Sequence, residues 1–447
     1  RPWLSNGQRR WWGGGFPTVI LGATRKEATL RLANLTQLKH PLSVDTYIEQ
    51  TLEGAKAILI RLIGGISYWS YGIQQVERLC RDRGIALAVL PADGRPDPRL
   101  DEVSTLPAST LHRLSHLCDT GGAIAAQAAL AQLSLAAGLY ASPVAGAKTL
   151  PDQGGWTPET GVCDPDAVRN TDLPLIAITF YRAYLTAADM APIEALFAAF
   201  RARGFDVIGL FGPSLKAPSA RKFIKTQLEH LRPAAIVNAT SFSGKGKDGS
   251  SPLDATDAPV FQVALATSDT NAWQTAERGL SPADLAMHVV LPEVDGRLFA
   301  GVASFKEAGT ADTDLQFTRL AHTPHPDRIR AIVDHVCGWV ALAQIPSCDK
   351  RPVLVLSTYP GKTWQMAHAV GLDALASSDA ILSDLAQDGY AIDTAGPLAD
   401  ALETDRLEWS LEAYRVALKT LPQALQDALT AAWGAPQDDP DVLDGHF

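Results

Sequence analysis

Short apolar runs alternate along the chain with stretches in which apolar positions recur every three or four residues. A compact apolar run fits a strand buried on both faces, and the helical period fits a helix laid over a sheet. Ala57–Ile63 reads as such a strand, Ile73, Val76, Leu79 and Cys80 mark the inner face of a following helix, and Ile85–Leu90 returns as a strand. The rhythm repeats from Pro174–Phe180 through a helix carrying Ile193, Leu196, Phe197 and Phe200, a stop at Gly204, and a strand at Phe205–Phe211. It continues with a helix carrying Ile224, Leu228 and Leu231, strands at Ala234–Ala239 and Pro259–Leu265, and a third unit opening at Arg351–Pro360. Alternation of this kind predicts a multidomain α/β protein built from repeated doubly wound parallel-sheet units, Rossmann or flavodoxin-like.

The stretch Ser142–Asp166, rich in Gly, Pro and Asp, has the composition of a linker or surface loop and sets a boundary near Asn170. The expected organisation is an N-terminal α/β domain over residues 1–170, a second over 171–350, and the start of a third over 351–447. A chain of 447 residues exceeds what one core usually organises.

Charge narrows the possible partners. With 39 basic and 49 acidic residues and no basic block interleaved with aromatics, nucleic acid is not expected. Five cysteines without a CxxC pair fit reduced thiols in a cytoplasm. The uncharged stretch Gly121–Ala141 is dominated by alanine and carries Gln127, Gln132 and Ser134, so a packed helix is expected there and not a membrane span. The chain starts at Arg1 and stops beyond a turn-like Asp444-Gly445, so it is expected to be a piece of a longer protein.

Candidate chemistry gathers in three places. Leu356–Thr363 ends in Gly-Lys-Thr, but a phosphate loop needs glycine where Leu356 stands, and Pro360 removes one of the required amides. The Gly/Ser/Lys-rich segment Ser241–Pro259 follows a predicted strand, where Ser243, Gly244 and Lys245 could hold an anionic group, although mobile surface loops have the same composition. Third, Met287–Leu291 reads as a short strand leading into Glu293, Asp295 and the turn dipeptide Asp295-Gly296. Two carboxylates two apart would share one strand face, while the simpler reading is a turn with Glu293 paired to Arg297. His288, His322, His325 and His335 lie nearby without metal-ligand spacing, and His325 reads as a surface-loop residue.

Several stretches together resemble one family. Arg61–Leu100 with "GGISYWSYG", "ITFYRAYLTAADMAPIEALFAAFRARGFDV", "SSPLDATDAPVFQVAL", "GLSPADLAMHVVLPEVDGRL", "ASFKE" and "HTPHPDRI" cover most of Arg61 to Leu385 in the order of the CobN/magnesium-chelatase H-subunit family. "LPEVDGR" resembles the signature shared by cobalt and magnesium chelatases, and "GGISYWSYG" is nearer the cobalt branch. Lys362–Met366 departs from the family's Gly/Arg-rich loop, which puts that loop's contribution in doubt.

The resemblance implies an N-terminal-half piece of a large chelatase subunit, a nitrogen–metal ligase with little activity alone. Its macrocycle would be hydrogenobyrinic acid a,c-diamide and Co2+ its second substrate. There would be no resident cofactor, and ATP and Mg2+ would be handled by partner ATPases of the CobS and CobT type. Glu293 is then the expected catalytic carboxylate and transient metal contact, with Asp295 and His288 secondary. The alternatives are a magnesium-chelatase H-type subunit acting on protoporphyrin IX and a non-catalytic α/β ligand-binding module.

Overall fold

In the first sheet, strands β1 (Pro17–Thr24) and β2 (Glu27–Asn34) form an antiparallel pair that joins β3 (Ala55–Leu62) and the parallel β4 (Ala86–Pro91) in the order β2-β1-β3-β4. The computed structural model describes residues 17–24, 27–92, 96–145, 149–170, 172–357, 371–392, 396–404 and 408–447. Alternation along β3 divides its side chains between two cores. Ile58, Ile60 and Leu62 pack with Ile73, Val76 and Cys80 of helix Ser70–Arg83, while Ala57 and Leu59 face Leu111, Leu114, Ala129 and Leu133 of helices Ala108–Thr120 and Gly122–Ala136. The alanine-rich stretch is thus a packed helix, and among the described residues no helix is long and apolar enough to cross a membrane.

The larger sheet contains β5 (Gly154–Thr157), β6 (Gly161–Cys163), β7 (Leu175–Tyr181), β8 (Asp206–Gly212), β9 (Ala235–Asn238), β10 (Val260–Leu265), β11 (Leu298–Asp312) and β12 (Phe317–Pro324). Its order is β12-β11-β10-β9-β7-β8-β5-β6, with β8, β7, β9, β10 and β11 parallel and β12 and β5 antiparallel to their neighbours. Helix Ala191–Arg201 and helix Pro326–Gln344 cover one face, and helix Pro218–Leu231 covers the other, so the α/β doubly wound expectation holds. Their inner residues include Ile193, Leu196, Phe197 and Phe200, and Ile224, Leu228 and Leu231.

The stretch expected as linker departs from that reading, because β5 and β6 lie inside it. Trp156 of β5 is buried with edge-on contacts to Phe180 and Phe197, and Gly154 and Gly155 leave room for Phe211 and Pro165 against the backbone. Glycine here serves close packing, which composition alone cannot separate from a loop.

The carboxyl ends of β3 and β7 are tied through the end of helix Ala108–Thr120. Arg61 Nη2 donates to Asp119 Oδ1 at 2.8 Å, and Arg182, following β7, donates to Asp119 O, Leu150 O and Pro151 O at 3.2, 2.9 and 3.0 Å.

The chain divides into two compact units, residues 1–340 and 341–447. In the second unit, the described residues form helices Ala374–Gln387, Leu398–Thr404, Leu411–Leu418 and Gln423–Trp433. The strand expected from Arg351 is absent over residues 351–357, where Val353 and Val355 are exposed. A strand exists only in a ladder, and no described residue supplies a partner backbone there. Residues 358–370, with the Gly-Lys-Thr turn and Lys362–Met366, lie outside the described residues.

Candidate functional site

The chain leaves β7 toward β8 on one side, then returns past it to β9, β10 and β11 on the other. That reversal makes the carboxyl ends of β7 and β9 a topological switch point, the position where open α/β sheets bind ligands. Polar side chains brace these strand ends. Thr179 Oγ1 and Thr240 Oγ1 donate to Asn238 Oδ1 at 2.7 and 2.8 Å, Asn238 Nδ2 donates to Gln262 Oε1 at 2.7 Å, and Gln262 Nε2 donates to Thr240 O at 2.7 Å. Tyr181 Oη donates to Ser241 O at 2.6 Å and lies 3.1 Å from the Ser241 N–H, which holds the start of the loop after β9. Burial raises the Tyr181 phenol above its ordinary range.

Beside this loop runs a helix where a strand is expected. Pro282–Leu285 continues through a wide π turn, Ala286–Val290, into Leu291–Val294. Pro292 has no N–H to offer the preceding turn, and the Leu291 N–H donates to Ala286 O, five residues back. The helix starts on Ser281, whose Oγ accepts from the Asp284 N–H at 3.1 Å while donating to Asp284 Oδ2 at 2.9 Å. It ends on Gly296 (φ +80°): the Gly296 N–H donates to Glu293 O and the Arg297 N–H to Pro292 O, the paired bonds of a Schellman ending.

The helical geometry separates the two carboxylates that a strand would have put together. Glu293 is exposed, whereas Asp295 is buried on the far side. Arg297 does not pair with Glu293; its Nη1 donates to Asp254 Oδ1 at 2.6 Å. Asp295 clamps the loop after β9, accepting from Ser243 Oγ at 2.8 Å and from the Gly244 N–H at 2.7 Å. Lys245 Nζ donates to Val294 O at 3.3 Å, and the Phe242 N–H donates to Met287 O at 2.7 Å. Ser243, Gly244 and Lys245 are therefore bound to the helix end that carries Glu293 and Asp295, with Ser243 and Gly244 engaged by Asp295 and Lys245 left with further donors beyond Val294 O.

The helix that carries Glu293 also exposes apolar residues. Val290 (49% exposed) and Val294 (72%) lie three and one residues from it on the helix, with Leu291 also exposed. Phe242, whose N–H is held by this helix, is 49% exposed although its backbone is left-handed at φ +67°. That conformation costs a bulky side chain on the order of 1–3 kcal/mol and persists only where the surroundings impose it.

Behind the helix lies a buried polar pocket. Asp284 is fully buried, and its Oδ1 accepts from the Thr267 N–H at 3.0 Å and Thr267 Oγ1 at 2.9 Å. His288, one turn closer to Glu293, is also buried; its Nε2 is 3.9 Å from Asp284 Oδ1, too long for a hydrogen bond, and its Nδ1 has no partner among the described residues. Burial lowers its pKa, with Asp284 opposing. His322 on β12 has Nδ1 3.2 Å from Ser304 Oγ, while its N–H donates to Asp189 Oδ1 at 2.9 Å and its ring meets the edge of Tyr184. His325 is half-buried with its ring against Trp273 and Phe305, unlike the surface-loop expectation, and His335 is exposed beside Phe261.

Burial pushes His322 down from 6.5 to about 4, against the opposing pull of Asp189. On acidification the unfolded chain takes up this proton first, so stability intact above about pH 6.5 is lost progressively as pH falls to about 4. Urea midpoints measured across that window are expected to fall, and His322→Asn to flatten the dependence; an equally steep fall in the variant would place the titration elsewhere.

Long-range contact was needed to find Phe242 and Asp284, and to give His322 its buried partners. Only Asp284 had a local signal, in the Ser281-Pro282-Ala283-Asp284 capping pattern. Among the described residues no three His, Cys, Asp or Glu side chains converge to hold a metal ion.

The family described as CobN/Magnesium Chelatase matches residues 119–446. The chain belongs to this family. It is similar to the aerobic cobaltochelatase subunit CobN of a Sinorhizobium species, 33% identical over 94% of this chain and 35% of that protein. The CobN subunit of Pseudomonas aeruginosa is 32% identical over the same shares of the two chains. The chloroplastic magnesium-chelatase subunit ChlH of Oryza sativa subsp. indica is 23% identical over 53% of this chain and 17% of that protein. Among solved structures, the catalytic subunit of cobaltochelatase from Mycobacterium tuberculosis aligns with a TM-score of 0.62 at 26% identity, covering 93% of this chain and 35% of that one. This CobN/magnesium-chelatase family member thus spans about a third of the length of its cobaltochelatase relatives.

Proposed function

We propose that this chain is part of the macrocycle-binding large subunit of an ATP-dependent cobaltochelatase, which inserts Co2+ into hydrogenobyrinic acid a,c-diamide on the route to cobalamin. One observation carries the reading: an exposed carboxylate, Glu293, shares its helix with the exposed apolar residues Val290, Leu291 and Val294, and the loop after β9 that carries the exposed Phe242 is bonded to that helix, at the carboxyl edge of a doubly wound sheet. A large ring can lay an apolar face on such a surface while the carboxylate meets its centre. Glu293 would contact the incoming metal transiently, offsetting water lost from it, and accept the proton that leaves a ring nitrogen as the nitrogen–cobalt bond forms.

Lys245, with donors remaining beyond Val294 O, suits a carboxylate substituent on the ring margin, and Asp295 holds Ser243 and Gly244 so that the loop keeps its shape. His288 lies on the buried face of this helix in a supporting position. The reading keeps three functional units, 1–170, 171–350 and 351–447, with ring chemistry in the second. ATP and Mg2+ belong to partner subunits of the CobS and CobT type, in the cytoplasm. Cobalt is favoured over magnesium by the extent of similarity, 94% of the chain against 53%.

The test is titration of the full-length subunit with hydrogenobyrinic acid a,c-diamide and with protoporphyrin IX, followed by metal insertion after adding the partner ATPases. Preference for the corrin precursor with cobalt insertion is expected. Preference for protoporphyrin with magnesium insertion would reassign the substrate, and binding of neither ring would leave a non-catalytic module.

A further inference from the structure

We propose that Phe242 is the aromatic surface on which one face of the macrocycle stacks, positioning the ring over Glu293; this rests on the reading of the site as macrocycle-binding. Phe242 is a bulky residue in left-handed backbone, yet it is 49% exposed, so full burial of its side chain does not repay the conformation.

Constraints on every side hold it there. Tyr181 fixes Ser241 through two contacts of 2.6 and 3.1 Å. Met287 O takes the Phe242 N–H at 2.7 Å. Asp295 grips Ser243 and Gly244 immediately afterwards, at 2.8 and 2.7 Å. The chain is thereby bound to the helix that carries Glu293 on both sides of the Phe242 ring. An aromatic face offset-stacks on a conjugated ring system, and holding it rigidly beforehand removes the ordering cost on binding. Val290 and Val294 are also exposed, on the helix to which Phe242 is bonded.

Stacking and a purely structural role predict opposite results for Phe242→Gly. Glycine adopts left-handed backbone freely, so the variant full-length subunit is expected to melt at the same or a higher temperature, while its affinity for hydrogenobyrinic acid a,c-diamide falls tenfold or more. Phe242→Trp should retain most of the affinity and Phe242→Leu an intermediate share. The proposal is overturned if Phe242→Gly binds the corrin precursor as wild type does, or if its melting temperature drops because the ring packs against another part of the full-length chain. Wild-type protein that binds no macrocycle would instead overturn the functional reading.

Discussion

Glutamine at position 293 is expected to slow cobalt insertion about 100-fold or more in the full-length subunit with its ATPase partners, leaving affinity for the corrin precursor within about threefold of wild type. Glutamine keeps the shape and loses the charge and basicity. Glu293 lies in the last turn of its helix with an exposed side chain, and the Schellman ending uses only its backbone carbonyl, so the fold does not depend on the carboxylate. An interaction made as the metal enters and the proton leaves lowers the rate of the chemical step when removed, with little effect on ring binding. Single-turnover absorbance of the metallated product separates the two, and an unchanged insertion rate would remove Glu293 from the mechanism.

Asp284→Ala is expected to destabilise the first unit by about 3 kcal/mol. The carboxylate has no exposed surface, and its loss strands the Thr267 N–H and hydroxyl together with the Ser281 hydroxyl. The helix start keeps the backbone bond to Ser281 Oγ and loses the return bond from that hydroxyl. Asp284→Asn keeps one oxygen acceptor and should lose less. Urea denaturation reads both; a midpoint for the alanine variant equal to wild type would mean that water or a neighbour replaces the carboxylate.

Strands buried on both faces were legible because their apolar runs are uninterrupted: β3, β4, β7, β8, β9 and β10 fall where the pattern puts them. β5 was not, since a four-residue strand containing two glycines has no pattern of its own, and Trp156 acquires its meaning only against Phe180 and Phe197. Met287–Leu291 was misread for a different reason. A short apolar window carries too few positions to distinguish a period of two from one of 3.6, and the deciding information lay upstream at Ser281 and Asp284.

The site divides along the same line. Glu293 was reached through a motif, and Ser243, Gly244 and Lys245 through the position of a loop after a strand. That Asp295 joins these two stretches is a contact across about fifty residues, invisible to spacing. The left-handed backbone of Phe242 has no counterpart in the letters around it, because phenylalanine is not a residue that announces such a conformation.

The π turn at Ala286–Val290 has a consequence for aim. A wide turn accommodates one residue more than an ordinary helical turn, and each residue of an α-helix advances about 100° around the axis. Without that extra residue, everything after Val290 would be rotated by about that angle relative to Asp284, which is anchored on Thr267. Glu293 would face another direction, and Asp295 would lose its alignment with Ser243 and Gly244. The irregular turn therefore acts as a phase adjustment between the buried foot of the helix and its exposed tip.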